Sequence, residues 1–231
     1  MKLSKIITLI LALVCMASLL ASCGLVDLEN SGKKPVTALE HYEYALNYSQ
    51  SHPYKQTTVT ETMLNGEPYT NTSVCNMDGD NYYMNEDGMT TTYYNGTVYV
   101  QSAVGKRKMV IDMKDFIYNL GESAGIAEDY WETLGGTLTD ENMTLTKNDD
   151  GTSTLKFCIT LPYVGTYDCV MTLDKDCRLT KYVMTQETTF MNTTAKVTDT
   201  TTYEYGDQYK VSPPADPDSY EVVTSYMDLV R

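Results

Sequence analysis

Three regimes of hydrophobic patterning follow one another along the chain. From Ile6 to Leu20 apolar residues run almost without interruption behind Lys2 and Lys5. Residues 24–34 (GLVDLENSGKK) are polar and glycine-containing, which predicts a flexible tether. At Thr37 the pattern becomes helical: Leu39, Tyr42 and Leu46 recur about a turn apart, with Ala38 and Ala45 flanking the same stripe. Thr37 and Glu40 have the spacing of a capping box, and Pro53 closes the element near Ser51. From Tyr54 onward the period drops to two, in segments dominated by threonine, tyrosine and valine, which suit a pleated, half-buried surface. Asn65-Gly66 and Asn95-Gly96 predict tight hairpins. A two-residue turn at the second pairs Tyr94 with Thr97 and Tyr93 with Val98. That register puts Thr91, Tyr93, Val98 and Val100 on one face and Thr92, Tyr94, Thr97 and Tyr99 on the other. The next strand, Arg107 to Met113, sets Met109, Ile111 and Met113 on one side.

Between Lys114 and Leu134 the alternation stops. Phe116, Ile117, Leu120, Ile126, Tyr130 and Trp131 fall at mixed helical spacings around Gly121 and Gly125, which predicts two short helices with a bend. Strands resume near Met143. Asp149-Asp150-Gly151 and Asp174-Lys175-Asp176 are turn sequences. Leu155, Phe157, Ile159 and Leu161, then Tyr167, Cys169, Met171 and Leu173, alternate with polar or small neighbours. Two long strands follow, near Arg178–Met191 and Thr194–Tyr205. Asp216-Pro217, with Tyr220, Val223, Met227 and Val230 beyond it, predicts a short amphipathic helix. One helix, four strands, a helical insert and four more strands describe an α+β fold over residues 35–231. Its antiparallel sheet has one apolar face, which the helices cover.

The N-terminal run has the order of a secretory signal and is too short and too weakly flanked for a stable membrane span. Its last residues, Leu20-Ala21-Ser22-Cys23, resemble a bacterial lipoprotein signal. The resemblance implies that residues 1–22 are removed and that Cys23 is acylated, typically with at least two chains. It places the protein on the extracytoplasmic face of a bacterial cell membrane, with its membrane contact through that lipid. The net charge is −14 over the whole chain and −16 without the first 22 residues, which hold two lysines and no acids. Such acidity argues against nucleic acid as a partner and against attraction to anionic head groups.

Catalytic and metal signatures are sparse. No nucleophile-elbow, zincin, phosphate-loop or dinucleotide motif is present, so the sequence predicts no enzyme and no cofactor. His41 and His52 are expected as partly exposed surface residues. Of the six cysteines, Cys15 leaves with the signal and Cys23 takes the lipid. Cys75, Cys158, Cys169 and Cys177 contain no C-x-x-C pair and are expected as small buried thiols, with at most one bridge and no metal. Asp78-Gly79-Asp80-Asn81 places oxygen donors close together but departs from a calcium loop at Tyr83 and Met89, so a turn is expected. Lys106-Arg107-Lys108 is expected to guard a sheet edge. Tyrosine is in excess, 20 residues against three phenylalanines, and suits a sheet face that is partly wet.

The order of these elements resembles the LolA/LppX-like lipoproteins and lipoprotein carriers. The segments that carry the resemblance are the lipobox, the tether and helix, TTTYYNGTVYVQ, GKRKMVID, VMTLDKDCRLTKYVMTQETT and YEYGDQYKVSPP, spanning residues 36–215. It rests on layout, with no invariant motif. It implies a curved antiparallel sheet, a half-barrel, whose open side is plugged by the N-terminal helix and the helical insert. It also implies a non-catalytic role, binding a lipid or other amphipathic ligand between sheet and helices. The inward positions it points to are Tyr93, Val98, Val100, Met109, Ile111, Phe157, Ile159, Tyr182 and Met184. The alternative is a surface module with a solidly packed sheet, contacting a protein or cell-wall glycan. The DKDC turn departs from the family's layout, with Cys177 where a glycine is usual.

Overall fold

A computed structural model describes residues 34–64, 67–86, 88–112, 115, 138–161, 165–190 and 193–229. Helix α1 spans Ala38–Ser51 and begins at the expected capping box. The Thr37 hydroxyl accepts the Glu40 amide at 3.2 Å, and the Glu40 carboxylate accepts the amides of Thr37 and Val36 at 3.0 and 2.7 Å. The capping-box pair of amides, Thr37 and Glu40, is thereby satisfied, together with the Val36 amide just ahead of the helix. The helix stops at His52, whose ring stacks on Tyr48 at 4.0 Å before Pro53.

Among the described residues twelve strands form one sheet. They are β1 Tyr54–Leu64, β2 Glu67–Asp78, β3 Asn81–Glu86, β4 Met89–Tyr94, β5 Thr97–Ser102 and β6 Gly105–Val110. Then come β7 Thr144–Lys147, β8 Ser153–Leu161, β9 Gly165–Leu173, β10 Leu179–Phe190, β11 Thr193–Tyr205 and β12 Glu221–Val222. The spatial order is β12-β6-β5-β4-β3-β2-β1-β11-β10-β9-β8-β7. The chain therefore enters at the centre with β1 and meanders out to β6. It crosses to the opposite edge between residues 111 and 143, then meanders back until β11 lies beside β1. Neighbours pair antiparallel except β12, which runs parallel to β6.

The second hairpin has the predicted register, Tyr94 opposite Thr97 and Tyr93 opposite Val98. Asn95 and Gly96 both have positive φ, 45° and 78°, as a two-residue turn that matches strand twist requires. Leu64 pairs with Glu67 across the first Asn-Gly, whose own residues lie outside those described. Met113 and all of the expected helical insert, 114–134, except Asp115 also fall outside them.

Three expectations need correction. Among the described residues six strands, not four, precede the crossover, because each short Thr/Tyr segment turns at its own glycine or Asx pair, and five, β7–β11, not four, follow it before β12. The expected helix after Pro217 is instead a 3₁₀ turn, Pro217–Ser219, then β12, then a short helix α2, Tyr226–Leu229. The outer edge of β6 explains this: its unpaired backbone recruits Glu221 and Val222 as ladder partners of Arg107 and Lys108. The basic run consequently does not guard a bare edge. Lys106 pairs with Asp216 at 2.6 Å, Lys108 donates to the Pro217 carbonyl at 2.7 Å, and Arg107 donates to the Asp228 carbonyl at 3.0 Å. All three hold the C-terminal segment against the sheet.

The turn 174–178 shows why Cys177 stands out. One Asp174 carboxylate oxygen accepts the amides of Asp176 and Arg178, and the other accepts the Arg178 guanidinium at 2.7 Å. Closing this turn puts Cys177 at φ 62°, in the left-handed region where a Cβ is strained. Cys177→Gly is expected to raise stability by about 1 kcal/mol. Urea denaturation checks it: the midpoint should rise at constant slope, and a lower midpoint would mean that the half-buried thiol contributes more than the strain costs.

Candidate functional site

One face of the sheet carries the core, and ladder register shows how it is composed. A row across seven strands reads Tyr205, Tyr54, Met77, Tyr82, Tyr93, Val98 and Met109. Its members from Tyr54 to Met109 are at most 8% exposed. On the other wing Tyr182, Met171 and Leu155 form one row, and Met184, Cys169 and Phe157 the next. Eight of the nine predicted inward positions thus lie on one face of one sheet, and Ile111 follows the end of β6. Tyr93, Val98, Val100, Met109, Phe157, Tyr182 and Met184 are buried, and Ile111 and Ile159 are half-buried against them. Between the wings the same face turns polar, with Gln56, Thr58 and Thr60 on β1 and Asp199 and Thr201 on β11.

Two elements cover this face among the described residues. Helix α1 lies over the β8–β11 wing, where Tyr42 meets Phe157 edge-on at 5.5 Å and Ser49 shares a 2.7 Å hydrogen bond with Tyr205. At the other wing the C-terminal segment wraps the β6 edge. Tyr220 sits edge-on to Tyr99 at 5.3 Å on the outward face, β12 pairs with the edge, and Leu229 is buried in the core. The terminal segment is thus a strap, anchored outside and inserted inside.

His41 is not the partly exposed residue expected from sequence. It is 2% exposed, and its Nδ1 lies 2.7 Å from the Thr37 carbonyl. A carbonyl only accepts, so Nδ1 carries the proton and the ring ties down the first helical turn. The four described cysteines are free thiols: Cys75 and Cys169 buried, Cys158 exposed and Cys177 half-buried. Burial pushes the Cys75 and Cys169 thiols up to about 12, so both stay protonated and unreactive. Cys158 lies on the outward face, where its thiol donates to Asp168 at 3.2 Å. Among the described residues no three His, Cys, Asp or Glu side chains are grouped to hold a metal. Asp78 and Asn81 close the β2–β3 hairpin; their side chains accept the amides of Val211 and Asn95.

Compared with known proteins, the chain matches no family model and no curated protein. Among solved structures it aligns with a DUF1329 family protein from Desulfovibrio piger at 10% identity and TM-score 0.28, over 84% of this chain and all of that one. A LolA superfamily protein from Nitrosomonas europaea aligns at 9% identity and TM-score 0.28, over 74% of this chain and 92% of that one. A Vibrio parahaemolyticus domain, described as an outer membrane lipoprotein-sorting protein domain, aligns at 9% and 0.28, over 78% and 95%. The neighbours are DUF1329 and LolA superfamily proteins, at low identity. No helix among the described residues is long and apolar enough to cross a membrane.

The polar centre of the face was not foreseen. Asp199 shares strand parity with Val197, Tyr203 and Tyr205, so an acid on the apolar side of β11 was the available signal. On β1 no such signal exists, because the inward residues Gln56, Thr58 and Thr60 are more polar than the outward Val59 and Met63.

Proposed function

We propose that the protein is a non-catalytic, lipid-anchored lipoprotein of the extracytoplasmic membrane face that holds an amphipathic ligand between its sheet and the elements covering it. Residues 1–22 serve as the signal, 23–34 as the tether and 35–231 as the binding domain. The sheet curves into a half-barrel that α1 helps to close. The observation that carries this reading is the composition of the inward face. Two apolar wings flank a buried polar centre, an arrangement complementary to a molecule with both a chain and a polar group. A face built only to be packed gains nothing from polar side chains at its centre.

Fluorescence of 1-N-phenylnaphthylamine, which brightens on leaving water, tests the reading. Titration is expected to give a saturable rise that a long-chain alcohol reverses. Absence of saturation would favour the solidly packed interaction module.

The anchor is tested separately. Cys23→Ala is expected to move the protein from the membrane pellet to the soluble fraction of fractionated cells. Retention in the pellet would place the anchor elsewhere.

A further inference from the structure

The polar centre contains six side chains, each at most 8% exposed: Gln56, Thr58 and Thr60 on β1, Gln186 on β10, Asp199 and Thr201 on β11. Register makes four of them direct neighbours, Thr58 opposite Thr201 and Thr60 opposite Asp199. The two threonine hydroxyls share a 2.9 Å hydrogen bond, and Thr60 donates to Asp199 Oδ1 at 2.6 Å. Two atoms are left over. Asp199 Oδ2 and Gln56 Oε1 have no hydrogen-bond partner among the described residues, although the residues are 2% and 5% exposed. Buried polar atoms are almost always paired, because stripping water from an acceptor without replacing its donor is costly, most of all for a carboxylate.

Both orphans are acceptors, so the missing group is a donor. The surroundings of Asp199 narrow the choice. Across the ladder it faces Thr60 on β1 and Met184 on β10, neither of which carries charge. Burial drives its carboxyl up and the Thr60 hydroxyl holds it down; among the described residues no cation acts on it. At about 6 it is still mostly ionised at neutral pH, a buried negative charge without a counter-charge.

We propose that Asp199, with the hydroxyls of Thr58, Thr60 and Thr201, takes the ammonium group of an amphipathic ligand whose hydrocarbon part lies on the apolar positions of the same face. This deepens the proposed function and rests on it. An ammonium brings three donors and a full positive charge. Oδ2 accepts one donor, and Thr60, whose proton is already given to Oδ1, has lone pairs for another. A hydroxyl head group would offer one donor and no charge. A phosphate or carboxylate would bring like charge to a buried carboxylate. Gln56 lies four residues along β1 from Thr60, about 13 Å away, so its free oxygen serves a different donor.

Isothermal titration of the full chain carrying Cys23→Ala, at pH 7.5 and below micelle-forming concentrations, tests this with three probes: decylamine, decanol and decanoate. Decylamine is expected to bind about tenfold or more tightly than decanol, with decanoate weakest, because a charge-assisted hydrogen bond in a dry site is what separates them. In Asp199→Asn the amine should lose that advantage over decanol. The variant leaves the acidic surface intact, so amine attracted only by net charge would bind both proteins alike. Equal affinities for amine and alcohol, or an amine preference that survives Asp199→Asn, would overturn the head-group assignment and leave the amphiphile reading standing. No binding of any probe would overturn both.

Discussion

Phe157→Ala is expected to lower the stability of the protein by about 3–5 kcal/mol, the usual cost of emptying an aromatic site in a packed core. Phe157 is 4% exposed and lies between two aromatic rings, Tyr42 edge-on at 5.5 Å and Tyr182 stacked at 6.3 Å. Removing it takes contacts from α1 and from β10 together, and neither ring can follow without unmaking other bonds. The Tyr182 hydroxyl donates to Cys169 Sγ at 3.3 Å, and Leu39, one helical turn before Tyr42, donates its amide to Asp140 at 2.8 Å. Urea denaturation should show the midpoint falling with unchanged slope. A loss of less than about 1 kcal/mol would mean that Phe157 already faces a void, in which case it lines ligand space.

Asp199→Asn is expected to act in the opposite direction. Burial raises the Asp199 carboxyl from 3.8 to about 6, so the folded state holds this proton more tightly than the unfolded chain. The sign follows from linkage. Below about pH 4 both states are protonated and the group contributes nothing; between pH 4 and 6 stability falls as pH rises; above about 7 the loss is complete, about 3 kcal/mol. Asparagine keeps the shape and the acceptor for Thr60 but never ionises. The stability difference between variant and parent should therefore climb from near zero at pH 4 to about 3 kcal/mol at pH 7. Carboxylates held low by partners, such as Glu40 and Asp216, cancel in that difference because both proteins contain them. A flat difference would mean that Asp199 is not desolvated. A residue whose removal stabilises the fold is one that folding alone does not explain.

Some of this architecture was legible in the sequence. Thr37, Glu40 and Pro53 mark the ends of α1 because capping and proline act locally, whatever the rest of the fold does. Asn95-Gly96 fixed a register, and with it the faces of β4 and β5, because a two-residue turn leaves only one pairing. The inward residues of β8 and β9 were visible because their apolar alternation is clean. Elsewhere the cause was not local. The inward faces of β1 and β11 are set by their partners across the ladder, and a threonine-rich strand carries no hydrophobic contrast from which to read a side. Likewise β12 exists because β6 needs a ladder partner, which the helical spacing of Tyr220 and Val223 does not reveal. The candidate site shows the same division: its apolar wings followed from period-two patterning, whereas the Asp199 cluster required the register of β1 against β11.

Native mass spectrometry of the protein purified from bacteria without added lipid tests the central claim most directly, that an amphipathic molecule is held between the sheet and its covering elements. The predicted spectrum contains a species heavier than the acylated chain by one small molecule, which is released when the protein is unfolded. A single mass equal to the acylated chain, unchanged after incubation with decylamine or decanol, would contradict it.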